Sequence, residues 1–173
     1  ALRHAHLDRG EADAGRIVHR LEHVGDQRPQ VLVDGLDRLG DQAQPRIGRF
    51  DDGKGQDFVV EALAALRRSY PQLHMLFVGE PTRNEGNAYR EAVQKRVQEL
   101  GLTEVVHVRE FTLKPEVAYR ALDISITASV NETYGMVTIE AMAAGLPVVA
   151  SATGGTLEIV RDGSTGLLFP LRD

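Results

Sequence analysis

The sequence predicts an α/β fold in which a parallel sheet is covered by helices on both faces. From residue 47 onward, short apolar runs of strand length alternate with helical patterns of about ten residues, as in right-handed βαβ units. Hydrophobic residues make up 42 % of the 173 residues and charged residues 26 %, a balance typical of globular proteins with a real core. No apolar run reaches the roughly 18 residues that a membrane-spanning helix requires.

The elements follow one another along the chain and are bounded by glycine, proline or polar residues. Helices are predicted over five segments: 56–69, 89–100, 115–122, 134–144 and 156–161. Strands are predicted over five apolar runs: 73–78, 105–108, 124–128, 147–150 and 166–169. Gly101 and Gly145 stand where two helices are expected to end, because glycine readily adopts the backbone conformation of a helix C-terminus.

The first 45 residues differ in composition from the rest of the chain. Residues 1–49 contain no aromatic residue and no Lys, Ser, Thr, Asn or Met. One interpretation is a solvated extension. The other is that residues 1–45 are not native to this domain, through a shifted reading frame or a junction, and are poorly ordered. A helical pattern over 14–24 and a short strand at Val31–Val33 are nevertheless expected there, and the coherent domain is predicted to span 46–173.

Composition also narrows the classes of function. The absence of cysteine excludes disulfides, thiol nucleophiles and cysteine metal sites. A net charge of −5 argues against a nucleic-acid partner. The N-terminus has neither an initiator Met nor the pattern of a signal peptide. We therefore expect a cytoplasmic protein, present here as a processed product or a fragment.

A glycine-rich turn with two cations precedes the first helix of the domain, at Gly48–Gly55. Arg49 can bind a phosphate with two parallel hydrogen bonds, and Lys54 adds a second positive charge near a helix N-terminus. The turn therefore suits a diphosphate, although an ordinary surface turn with solvated charges has the same composition. It is neither a Walker A loop nor a dinucleotide fingerprint, because the spacings of both are missing.

Two glutamates follow the strand at 124–128, Glu132 before the next helix and Glu140 inside it. Their backbones are expected to lie about 10–12 Å apart, which is too far for a proton-sharing pair or for either glycosidase mechanism. Two carboxylates at this distance suit an extended ligand with hydroxyls at two places, and the free amides at Gly135–Val137 suit phosphate or sugar oxygens. The alternatives are a helix cap for Glu132 and an exposed helix position for Glu140.

These segments, in this order, resemble the C-terminal, donor-binding half of a GT-B glycosyltransferase, with a Rossmann-like sheet, and more narrowly family 4 of the retaining enzymes that use nucleotide sugars. The resemblance covers residues 46–173. It is carried by Gly48-Arg49 with Lys54-Gly55, by Ser129-x-x-Glu132-x-x-Gly135 and Glu140-Ala141-Met142-Ala143-x-Gly145-x-Pro147, and by Gly154-Gly155, Glu158 and Asp162-Gly163-x-Thr165-Gly166.

The resemblance implies a role for each matching residue. Arg49 and Lys54 would hold the donor diphosphate and stabilise the leaving group, Glu132 would contact the transferred sugar, and these three are the expected catalytic residues. The wider donor site would add Gly48, Tyr134, Gly135, Met136, Val137 and Glu140. Glu140 would bind the ribose, and the base would lie near Arg109, Glu110 and Phe111.

The resemblance also implies what else the site requires. No Asp-x-Asp motif occurs in the chain, as in metal-independent GT-B enzymes, so we expect no metal and no cofactor beyond a UDP-, GDP- or ADP-linked sugar donor. The N-terminal acceptor domain of the family is missing, and any peripheral membrane contact would belong to it. A sugar-nucleotide epimerase or phosphorylase on the same fold, or a non-catalytic nucleotide-binding module, remains as an alternative.

Overall fold

The computed structural model describes residues 49–80, 87–109 and 115–170. In chain order its elements are α1 (Gln56–Leu66), β1 (Met75–Val78), α2 (Ala88–Glu99), β2 (Val106–Arg109), α3 (Pro115–Arg120), β3 (Ser125–Thr127), α4 (Met136–Ala143), β4 (Val148–Ser151), α5 (Thr156–Ile159) and β5 (Leu167–Phe169). The predicted alternation is confirmed, with ends that differ by up to three residues. The predictions for residues 1–45 and for Gly48 lie outside the described residues.

All strand pairs among the described residues are parallel, as predicted. β1 pairs with β2, with Met75 opposite Val106. β4 lies between β3 and β5, with Ser125 opposite Val148 and Val149 opposite Leu167. These strands form a two-stranded and a three-stranded sheet, whereas the sequence suggested one sheet. Side-chain packing rather than backbone hydrogen bonding joins the two.

Helix α1 provides that packing, because it is buried on two sides. One side carries Val60 and Leu63, which join the core cluster that includes Val93 of α2. The other side carries Val59 and Ala62, which pack against a cluster that includes residues of β4 and β5. The buried surface of this helix is wide because both sheets contact it.

The start of α1 is positioned by Gly55. Its φ of 68° lies in the left-handed region, and a Cβ added to it would lie 2.3 Å from the carbonyl oxygen of Ala128. A side chain is therefore excluded both by the backbone conformation and by the neighbouring chain. This close approach brings the turn before α1 against the loop that follows β3.

Gly55→Ala is expected to lower the free energy of unfolding by about 3 kcal/mol, because the added methyl group meets backbone atoms in addition to the unfavourable φ. Gly101→Ala is the matched control. Gly101 also has a φ of 68°, but its Cβ would meet nothing within 4 Å, so a loss of about 1–2 kcal/mol is expected. Urea unfolding measures both, and equal losses would contradict the steric constraint.

Candidate functional site

Three loops meet beside the carboxyl ends of β3 and β4. The loop that follows β3 lies in the middle and is bonded to the other two. The amide of Val130 donates to the carbonyl of Gly53 at 2.8 Å, in the turn before α1, and the amide of Gly155 donates to the carbonyl of Glu132 at 2.7 Å. Ligands of parallel α/β sheets bind at this edge, so the three loops predicted to carry chemistry are brought together where a ligand is expected.

Lys54 and Glu132 form an ion pair across two of these loops. Nζ of Lys54 lies 2.8 Å from Oε2 of Glu132, and the two side chains are 24 % and 14 % exposed. The hydroxyl of Ser129 donates to the same carboxylate oxygen at 3.0 Å, and the amide of Gly135 donates to Oε1 at 3.3 Å. Glu132 therefore combines the two interpretations given above. It lies in the candidate site, and it also accepts a hydrogen bond from the amide of Gly135 at the start of α4.

The surroundings of Glu132 favour its ionised form. Burial alone would raise the pKa of this carboxyl group. The hydrogen bond and charge of Lys54, with the bonds from Ser129 and Gly135, outweigh that effect and hold the pKa below its usual value. The site therefore contains a stable carboxylate next to an ammonium group at neutral pH.

The paired glycines after β4 explain how closely the loops can pack. A Cβ on Gly154 would lie 2.0 Å from the carbonyl oxygen of Glu132, and one on Gly155 would lie 2.8 Å from that of Thr133. Both glycines lie against the loop that carries Glu132, so the loop after β4 packs directly on the backbone of that loop.

Glu140 has a different partner from Glu132. It lies in the second turn of α4, where its Oε2 accepts a hydrogen bond of 2.8 Å from the hydroxyl of Tyr119. Burial, and then the bond to and charge of Glu140, raise the pKa of Tyr119. Neither Tyr119 nor a separate role for Ser129 was predicted from the sequence. Ser129 was findable from its place in the motif, whereas nothing local marks a tyrosine whose partner is 21 residues away.

Arg49 is not joined to Lys54 by any contact between described residues. Its side chain is 67 % exposed, and its Nε lies 3.5 Å from Asp51. Its carbonyl accepts a hydrogen bond of 2.8 Å from Gln56 at the start of α1. The predicted pair of cations therefore consists of one ammonium group already paired and one guanidinium group that faces solvent.

The remaining predicted residues lie around the start of α4 and the end of β2. Tyr134 and Met136 are 75 % and 56 % exposed. The amides of Met136 and Val137 belong to the first turn of α4, where no carbonyl of the same helix can accept a hydrogen bond from them. Arg109 ends β2 and is exposed. Glu110 and Phe111, which were predicted together with Arg109 to lie near the nucleotide base, are outside the described residues.

The described ranges offer neither a metal site nor a membrane-spanning helix. No group of three or more His, Asp or Glu side chains is arranged there to hold a metal ion. None of the helices described is long and apolar enough to span a bilayer.

Comparison with known proteins supports the resemblance noted above. The family model of glycosyl transferases group 1 matches residues 43–173. A D-inositol 3-phosphate glycosyltransferase of Thermomonospora curvata is 37 % identical over 133 residues, which cover 73 % of this chain and 31 % of the relative. The chain spans between 28 % and 45 % of the length of several curated relatives of this kind.

Two solved structures are similar to the fold. HepE of Anabaena, in complex with UDP and glucose, has a TM-score of 0.69 at 29 % identity, covering 79 % of this chain and 36 % of HepE. The C-terminal domain of the glycosyl transferase group 1 protein LpcC of Francisella tularensis has a TM-score of 0.68 at 27 % identity, covering 86 % of this chain and 77 % of that domain. The fold is thus that of the C-terminal half of GT-B glycosyltransferases.

Glu132→Gln is expected to lower the free energy of unfolding by about 1–3 kcal/mol at neutral pH, because Lys54 loses its charged partner. Since the pKa of Glu132 is lowered in the folded state, its contribution is present above the usual pKa of a glutamate. It is lost as the pH falls from that value through the lowered one. Urea unfolding from neutral to acidic pH is expected to show the wild type and the variant converging.

The matched control is Glu91→Gln, at an exposed position of α2. Its difference from the wild type is expected to stay below about 0.5 kcal/mol at neutral pH. A difference for Glu132→Gln that does not shrink on acidification would contradict the role assigned to the ion pair.

Proposed function

We propose, from the premise that this chain belongs to the glycosyl transferases group 1, that it is the domain of a glycosyltransferase that binds the nucleotide-sugar donor. The reaction would be hexosyl transfer with retention of anomeric configuration and without a metal ion. The donor would be a UDP-, GDP- or ADP-linked sugar.

The observation that carries this proposal is the Lys54–Glu132 ion pair at the meeting point of the three loops. Lys54 is partly exposed and stands directly before Gly55 and α1, so its ammonium group can approach an anion at the helix start. A diphosphate would compete with Glu132 for Lys54. The carboxylate would then be released toward the sugar hydroxyls, which are natural donors to it.

Arg49 complements Lys54 in this proposal. Its guanidinium group is mostly exposed and is paired only loosely with Asp51, at 3.5 Å, so it can turn toward a diphosphate at little cost. Two cations at the diphosphate would stabilise the charge that develops on the leaving group. This is the physical support for transfer without a metal ion, and the retaining course follows the family resemblance.

Glu140 would bind the ribose, with the free amides of Met136 and Val137 between it and the sugar end of the site. The different partners of the two glutamates support a division of roles, since Glu132 is paired with Lys54 and Glu140 with Tyr119. Arg109, Glu110 and Phe111 are proposed to surround the base.

The acceptor would be bound by a further domain. The curated relatives are more than twice as long as this chain, and the family places its acceptor domain N-terminal to the donor domain. We propose that the chain by itself is a nucleotide-binding module of a cytoplasmic enzyme. Residues 1–45 would not contribute to the donor site, which lies wholly within 46–173.

Isothermal titration with UDP, GDP and ADP tests the donor site. Lys54→Met is expected to lower the affinity for the nucleoside diphosphate by about tenfold or more, and Glu140→Ala to lower it by about tenfold, because each removes a charge-assisted hydrogen bond. The control Lys95→Met changes a lysine that is 77 % exposed on α2 and is expected to leave the affinity unchanged. Failure of the wild type to bind any of the three diphosphates would contradict the proposal.

The chain alone is expected to bind a nucleotide sugar without transferring the sugar, because positioning of the acceptor supplies a large part of the rate. Release of nucleoside diphosphate in the presence of candidate acceptors measures this, with a full-length relative as the positive control. Transfer at a rate comparable with that relative would show that no further domain is needed.

A further inference from the structure

We propose that Tyr119 is a positioning residue for the ribose of the donor: its buried hydroxyl holds one oxygen of Glu140 so that the other oxygen is directed at the vicinal hydroxyls. The inference rests on the proposed function, which places the ribose at Glu140. It adds a residue that lies outside the motifs of the sequence and on a different helix, α3.

The geometry of Tyr119 leaves little choice of partner. The side chain is 2 % exposed, and its hydroxyl lies 2.8 Å from Oε2 of Glu140 and 3.4 Å from the carbonyl oxygen of Val137. A phenol has one proton to donate, and the shorter contact, with the side-chain oxygen of Glu140, is the stronger bond. Because its pKa is raised, Tyr119 keeps this proton at every pH at which the protein would work.

The backbone beneath Glu140 is already fixed. The hydroxyls of Thr127 in β3 and Thr138 in α4 are 3.1 Å apart and buried, and Ala141 is 0 % exposed. Helix α4 is therefore anchored to the sheet on one side. What remains free is the rotation of the Glu140 side chain, and the bond from Tyr119 restricts that rotation.

One oxygen of Glu140 is left for a ligand. Between the described residues, Oε2 accepts the bond from Tyr119 and no hydrogen bond reaches Oε1. A carboxylate oxygen can accept from two neighbouring hydroxyls. A carboxylate held in one orientation binds such a pair more tightly than a freely rotating one, because less side-chain entropy is lost on binding.

The test compares two ligands on the 173-residue chain by isothermal titration: the best-bound nucleoside diphosphate and its 2′,3′-dideoxy counterpart. The wild type is expected to prefer the ribonucleotide. Tyr119→Phe keeps the buried ring and removes the hydroxyl, so the ribonucleotide is expected to lose about tenfold in affinity. The dideoxy ligand is expected to change by less than about twofold. A merely structural defect would weaken both ligands alike.

Tyr89→Phe is the matched control. Tyr89 also donates to a carboxylate, Asp57, at 2.9 Å and accepts from the amide of Asp57 at 3.3 Å, so the variant loses hydroxyl bonds away from Glu140. It is expected to leave the ratio of the two affinities unchanged. In a Glu140→Ala background, Tyr119→Phe is expected to have no further effect on that ratio, because the hydroxyl then has no carboxylate to orient.

The outcomes separate this inference from the proposed function. A wild type that binds no nucleoside diphosphate overturns the proposed function and the inference with it. A wild type that prefers ribose, together with a Tyr119→Phe variant that retains the full preference, overturns the inference alone. If Tyr119→Phe does not fold, Tyr119→Leu, which also lacks the hydroxyl, takes its place, and full retention of the ribose preference in that variant overturns the inference.

Discussion

The site depends on one steric constraint: the loop after β3 has to pass between two other loops that approach its backbone too closely for a side chain. Gly55 lies against Ala128 on one side, and Gly154 lies against Glu132 on the other. The backbone that carries Glu132 is therefore held by both neighbouring loops, and the carboxylate of Glu132 lies 2.8 Å from Nζ of Lys54.

Local features of the sequence were sufficient for the alternation of helices and strands and for the parallel pairing of the strands. Strand runs, helix spacing and glycine stops such as Gly145 are set within a few residues of the chain, and the loops at strand ends follow from the parallel topology. Contacts between distant residues were not predictable in the same way. Lys54 was expected beside Arg49 but pairs with Glu132, 78 residues away, and the bond from Tyr119 to Glu140 has no local signature.

The two glutamates are the same residue type but differ in their hydrogen-bond partners. Glu132 is held by an ammonium group, a hydroxyl and a backbone amide, so its negative charge is largely balanced within the protein. Glu140 receives a neutral hydroxyl donor from Tyr119, which adds no positive charge beside it. A ligand with negative charge at one end and hydroxyls at the other fits this arrangement, because the balanced end repels an anion less than the unbalanced end does.

Helix α1 has a consequence for the energetics of binding. Its two buried sides pack against separate core clusters, and its first residue follows directly on Gly55 and Lys54. The N-terminal end of the helix therefore cannot shift without disturbing both clusters. An anion that binds there would therefore meet a preorganised backbone, because the conformational entropy of that backbone is lost when the protein folds, before any ligand arrives.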